Sequence, residues 1–152
     1  MRRQGGRAGF TIIELLITLI IIGILANIAI PLLRVVKVRA NAAKVLSDFD
    51  VIRGAAYDVY ASHDSFPPSG NFGQVPPWFA QSLPKGFQFQ YQDVQYKWAL
   101  LGTPQGNPLS PGQSLLGVEF QSTNTELMNA ILAGYHGALA FGGPNDFTLI
   151  IE

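Results

Sequence analysis

The sequence predicts an α+β protein, with one long N-terminal helix, first transmembrane and then amphipathic, packed on a small antiparallel β-sheet head. Three observations carry that prediction. Residues 10–30 form a 21-residue apolar run with a single ionisable side chain, Glu14, long enough to cross a bilayer as a helix. Beyond Pro31, apolar residues recur at helical spacing. After a cluster of prolines and glycines they recur at alternate positions instead, the period of a half-buried strand.

The helical stripe consists of Val38, Val45, Phe49, Ile52, Ala56 and Val59, at spacings of seven, four, three, four and three, with Ala42 filling the first gap. Lys37, Asn41, Lys44, Asp48 and Asp58 fall mostly on the other side, and Lys44 and Asp48 have the i,i+4 spacing of a helical ion pair. The stripe lasts only about three heptads, too short for a sustained coiled coil, so it is expected to pack on the protein's own sheet. Taken over residues 10–61 the helix has 52 residues, about 78 Å at ~1.5 Å per residue.

Ser65-Phe66-Pro67-Pro68-Ser69-Gly70-Asn71 ends the helical region and opens a surface loop that continues through Pro76-Pro77. Phe87, Phe89 and Tyr91 alternate with glutamines as a strand. The alternation slips one place at Asp93 and resumes at Val94, Tyr96, Trp98 and Leu100, so a bulge or tight turn is expected at Asp93. Pro104, Pro108 and Pro111 exclude residues 102–112 from a central strand. Leu116, Val118 and Phe120 mark another strand. Thr123-Asn124-Thr125-Glu126 reads as a capping box before a helix over 127–133, which Gly134 would stop. Residues 147–151 form the last strand.

A length of 152 residues suits one modest domain plus a membrane element. Lys and Arg total 10 and Asp and Glu total 10, but Arg2, Arg3 and Arg7 all precede the apolar run; without them 7 basic side chains face 10 acidic ones. After residue 62 only Lys85 and Lys97 are basic, so no nucleic-acid partner is expected. The absence of cysteine excludes disulfides, thiolate metal sites and a thiol nucleophile.

Gly9-Phe10, Glu14, Gly23 and Pro31, behind the basic Arg2, Arg3 and Arg7, resemble the N-terminus of type IV pilins and of the pseudopilins of type II secretion. The resemblance is dense over residues 9–31 and fades afterwards. It implies a leader peptide at 1–9, a helix over 10–62 whose first part spans the membrane, and a globular head over 63–152. A prepilin peptidase would cut between Gly9 and Phe10, and Phe10 would become the N-methylated terminus. The leader ends Arg7-Ala8-Gly9, whereas many relatives place a basic residue directly before the glycine. Many type IV pilins close a C-terminal loop with a disulfide, which this chain cannot form. Major pseudopilins commonly hold calcium in that loop; here Asn145, Asp146 and Asp93 offer oxygens without a matching ligand run, so no metal and no cofactor is expected.

An acid in lipid must find a partner, snorkel to the interface or take up a proton. For Glu14 the resemblance implies a partner: the Phe10 amine of a neighbouring subunit, which would neutralise both charges and fix the axial stagger of assembly. Snorkelling is the simpler reading. Gly23 and Pro31 weaken a helix, through poor propensity and a lost hydrogen bond respectively, although both residue types are common in membrane helices. The resemblance implies that this region unwinds when subunits enter a filament. Asn27 replaces a common alanine, either as a tolerated substitution or as an interhelical hydrogen-bonding group contributing about 0.6 kcal/mol.

Other readings explain fewer residues. A secretory signal could end at Ala40-Asn41-Ala42, but Arg34, Lys37 and Arg39 lie between that site and the apolar run. The charges flanking the run nearly balance, so they do not set its orientation. No catalytic residues are expected. His63, Asp64 and Ser65 are adjacent in sequence, and adjacent residues seldom face one reacting centre; His136 has no ligand-spaced partner. Gly142-Gly143 reads as a turn. Tyr91, Tyr96 and Trp98 belong to strand patterns, while Trp78 and Phe79, in a loop, either cover the core or anchor a neighbour or cargo.

The expected protein is therefore a non-enzymatic subunit of a type IV pilus or type II secretion pseudopilus, a minor pilin or pseudopilin. The resemblance implies as partners the prepilin peptidase, other pilin or pseudopilin subunits, an inner-membrane assembly platform and membrane lipid. It places the chain as a single pass in the cytoplasmic (inner) membrane, with its head in the periplasm or on a surface filament. The alternative is a membrane-anchored binding domain that does not polymerise.

Overall fold

Helix α1 runs from Ile12 to His63 and is continuous through both Gly23 and Pro31. The computed structural model describes residues 9–102, 114–137 and 140–151. They divide into two compact units, one ending at Lys37 and the other beginning at Val38. In the first unit every large apolar side chain from Phe10 to Val36 is at least 47% exposed, so its apolar surface finds no cover within the chain's described residues. By length and composition this helix is able to cross a membrane.

In the second unit α1 buries Ala42, Val45, Phe49, Ile52, Ala55, Ala56 and Val59, the stripe read from the sequence with Ala55 added and with Val38, expected at its start, only half-buried. These residues meet a five-stranded antiparallel sheet of β1 (Gln90–Tyr91), β2 (Val94–Gly102), β3 (Ser114–Gln121), β4 (Ala140–Gly142) and β5 (Asp146–Ile151), in the order β1-β2-β3-β5-β4. The register aligns Tyr96 with Phe120 and Phe147, and Trp98 with Val118 and Leu149. All six side chains are buried in the common core, and the Phe120 ring lies 5.2 Å from Tyr96 and 5.5 Å from Phe147. Full burial of side chains this size contributes roughly 1.5–3 kcal/mol each. Helix α2 (Thr125–Gly134) connects β3 to β4 and adds Leu127, Met128 and Ile131 to the same core.

Polar groups inside the core are paired. Asp48 on α1 is buried, accepts a hydrogen bond from the Tyr96 hydroxyl at 3.1 Å and forms an ion pair with Lys44. Burial, reinforced by the neighbouring Asp48 charge, raises the Tyr96 phenol well above its ordinary pKa. The Trp98 indole donates to the Pro67 carbonyl at 2.8 Å, fixing the breaker segment to the sheet.

Strand β1 covers only the start of β2. Farther along that edge, Gly73 N–H donates to the Tyr96 carbonyl at 3.0 Å and Gly70 N–H to the Trp98 carbonyl at 2.9 Å, while the Ser69 hydroxyl accepts from Leu100 N–H at 2.9 Å. The loop of residues 69–73 thus takes up edge groups that a longer neighbouring strand would otherwise pair.

Several elements narrow or depart from the sequence expectation. The slip at Asp93 is the tight turn of the two expected alternatives, not the bulge: Gln92 and Asp93 form a two-residue turn between Tyr91 and Val94, with Gln92 at φ 55°. Phe87 and Phe89 precede the strand, although Phe89 is fully buried and its carbonyl accepts from Tyr96 N–H at 2.9 Å. Asn124, rather than Thr123, caps α2, accepting from Leu127 N–H at 3.1 Å. The 3-10 turn Pro77–Phe79 and strand β4 were not anticipated. Gly142-Gly143 does form a turn, into β5; Gly142 has φ 140°, and a Cβ there would lie 2.4 Å from the Asp146 carbonyl oxygen. Residues 1–8, and all of the 102–112 loop after Gly102, lie outside the described residues.

Candidate functional site

The N-terminal end of α1 holds the sequence-predicted residues. Ile12 is the first helical residue, so Thr11 is the N-cap and Glu14 the third residue of the first turn. The Thr11 hydroxyl oxygen accepts from Glu14 N–H at 3.3 Å. In return, one Glu14 carboxylate oxygen accepts from Thr11 N–H at 3.0 Å and from the Thr11 hydroxyl at 2.8 Å. This is a reciprocal capping box, which satisfies backbone donors that have no partner inside the helix and sets a negative charge at its positive end.

The reading of the sequence missed Thr11. Its signal was present in Thr11-Ile12-Ile13-Glu14, a threonine three residues before a glutamate at the head of an apolar run. The consequence bears on Glu14: its carboxylate already has donors within its own chain. Any partner on another subunit supplements or displaces the Thr11 contacts rather than meeting a bare charge.

Gly9 and Phe10 directly precede the cap, and Phe10 is 81% exposed. A Cβ added at Gly9 or at Gly23 meets nothing within 4 Å, so packing within the chain demands neither glycine. Gly23, Asn27 and Pro31 follow on the same exposed stretch of helix.

The remaining candidates are drawn into structural roles. Ala42, the end of the alternative signal-cleavage pattern, lies in mid-helix and is buried in the head core, so a cut there would remove a residue the core uses. His63 places Nδ1 3.2 Å from the Val59 carbonyl oxygen and the Ser65 hydroxyl donates to the His63 carbonyl at 3.3 Å, contacts that do not make a triad. Two of the residues considered for calcium meet on Ser122: Asp93 accepts from its hydroxyl at 2.6 Å and the Asn145 main-chain carbonyl from its N–H at 2.9 Å. Among the described residues no three His, Asp or Glu side chains gather to hold a metal. The Trp78-Phe79 pair splits, with Phe79 fully buried and Trp78 53% exposed.

Residues 2–29 match the family model described as the prokaryotic N-terminal methylation motif. The chain is 34% identical over 116 residues to the type II secretion system core protein G of Klebsiella michiganensis, a match covering 74% of this chain and 80% of the relative. The chain belongs to the core protein G family of type II secretion pseudopilins. The same protein from Escherichia coli (strain K12) is 30% identical, with 74% and 79% of the two chains covered. That of Aeromonas hydrophila is 34% identical, covering 74% and 77%. No solved structure gives a significant match. As a pseudopilin the chain is a structural, non-enzymatic subunit with a membrane-capable N-terminal helix, and family membership implies N-terminal processing and assembly with other subunits. The comparisons favour this over a solitary membrane-anchored binding domain.

Proposed function

We propose that this pseudopilin is inserted as a single pass in the inner membrane with its head on the periplasmic side, is cut by a prepilin peptidase after Gly9, and is N-methylated at Phe10. It then enters a secretion filament through its N-terminal helix, on an inner-membrane assembly platform. One observation carries the reading. The residues matched by the methylation motif include the start of a capped helix whose large apolar side chains up to Val36 are all exposed and whose only charge before Arg34 is Glu14. Such a surface needs lipid or other apolar helices around it, and one acid near its start suits a pairing that selects a register. Glu14 exchanges part of its Thr11 contacts for the Phe10 amine of a neighbour, while Gly23 and Pro31 mark where the helix yields during that transfer. The relatives' designation as a core protein supports a place in the body of the filament rather than the minor place expected from the sequence.

Intact-mass analysis of the membrane-extracted chain tests the processing step. A terminus at Phe10, about 14 Da heavier when methylated, is expected. A terminus at Ala43 would sink the reading and indicate signal-peptide removal.

A further inference from the structure

Among the described residues of the head, Trp78 is the most exposed large apolar side chain, and pseudopilin assembly leaves it unexplained. Its exposure is imposed by its neighbours. Phe79 is fully buried, its ring 5.3 Å from that of Trp98 and 6.1 Å from that of Phe89, and Pro77 restricts the backbone on the other side. The anchored turn therefore holds Trp78 outward with little freedom to retract.

Beside it the His63 ring stands perpendicular, at 84° and 6.3 Å between centroids. With Nδ1–H donating to the Val59 carbonyl, His63 Nε2 is left as an acceptor. Asp58 accepts from the Ser82 hydroxyl through one oxygen, leaving the other available. These side chains, with Ser62 and Gln81, line a cleft of about 380 Å³.

The chemistry of the cleft restricts its ligand. One wall is an indole, whose electron-rich face attracts the weakly positive C–H edge of an apolar surface. Apart from Val59 and Pro77, the rest is carboxylate, imidazole, amide and hydroxyl, which together exchange hydrogen bonds in both directions. No Lys or Arg lines it, so a phosphate-bearing ligand would meet Asp58 without a counter-charge. A wholly apolar helix would strand the polar groups at a cost. The volume lies within the range of small-molecule sites. We propose that this cleft binds a neutral saccharide, with one pyranose ring stacked through its C–H face on Trp78 and its hydroxyls hydrogen-bonded to Asp58, His63 and Gln81.

The test is saturation-transfer NMR on the full chain in a zwitterionic detergent without a sugar headgroup, using the methyl glycosides of glucose, galactose, mannose and N-acetylglucosamine, with choline as a control. At least one glycoside is expected to receive saturation on its ring protons and to titrate with a Kd of about 1 mM. Trp78→Ala should abolish the transfer, and Gln81→Ala should weaken binding about tenfold through lost hydrogen bonds. Emission from the buried Trp98 reports that both variants remain folded. Cosedimentation with insoluble chitin or cellulose would identify a polymer as the source of the ring, and retention of free glycoside alone would identify a soluble sugar; either supports the proposal. It is overturned by a response to choline but to no sugar, by equal transfer to Trp78→Ala, or by protection of Trp78 that depends only on protein concentration and so reports a protein contact.

Discussion

The two halves of α1 begin as the same helix and end in opposite circumstances. From Val38 onward its apolar face meets the sheet, its one buried acid is tied to Tyr96 and Lys44, and the breaker segment is bonded to Trp98. Up to Lys37 the backbone is equally helical, but the large apolar side chains are exposed and the capping box lies in the first turn. The difference separates two questions that a helix on its own conflates. The head holds itself together. The N-terminal half has its local conformation specified by hydrogen bonds and a cap, while the burial that would stabilise it must come from lipid or other subunits.

If that division holds, the largest effect should come from damage to the head core. Trp98→Ala removes a fully buried ring and the indole bond to Pro67, and should cost the head about 3–5 kcal/mol in urea unfolding while membrane extraction stays normal. Loss of insertion together with the fold would break the comparison.

The N-terminal half should show the reverse pattern. Glu14→Ala should leave head stability and cleavage after Gly9 intact but lower incorporation into filaments by about tenfold or more, with Glu14→Gln partly restoring it, because the neighbour's desolvated amine loses its counter-charge. Thr11→Ala sharpens this result. It removes the hydroxyl contacts of the cap but keeps the acid, so it should reduce incorporation much less than Glu14→Ala. Equal effects of the two substitutions, measured as crosslinked subunits at matched membrane levels, would assign Glu14 to capping alone.

A smaller effect is expected at the bond between helix and sheet. Tyr96→Phe should destabilise the head by about 1–2 kcal/mol by leaving Asp48 short of a donor. The phenol's raised pKa also gives this bond a pH signature. The folded head keeps Tyr96 protonated where the unfolded chain has begun to lose the proton, so its contribution is complete below about pH 10 and falls as pH rises beyond that. The Tyr96→Phe head should lack this part of the alkaline loss in urea titrations at successive pH values. The smallest effect should be at Lys97, which pairs with Glu119 across β2 and β3 at 2.7 Å. Lys97→Ala should cost no more than about 1 kcal/mol, less in high salt.

Sequence periodicity located most of the head because burial imposes it. The stripe on α1 and the alternations through Tyr96 and Trp98 and through Val118 and Phe120 all point at one core. The tight turn at Gln92-Asp93 was legible only as an alternative to a bulge, because it carries neither glycine nor asparagine: Gln92 takes the positive φ, and an alternation slipping by one place fits either reading. Strand β4 escaped because its three residues are exposed and its extended form depends on pairing with β5, a partner that local sequence does not reveal. Within the candidate site Gly9, Phe10 and Glu14 stood out against an apolar background, whereas Thr11 was absorbed into that background although it completes the cap.

The loop stitched along β2 has a consequence for copies of the chain that meet one another. An unpaired strand edge is a template on which another chain can add, and repeated addition leads to cross-β fibres. Here Ser69, Gly70 and Gly73 occupy backbone groups of Tyr96, Trp98 and Leu100 with partners from the same molecule. A second copy that meets this edge finds a sheet already closed along that side. Strand addition is discouraged there, so uncontrolled growth through that edge is disfavoured.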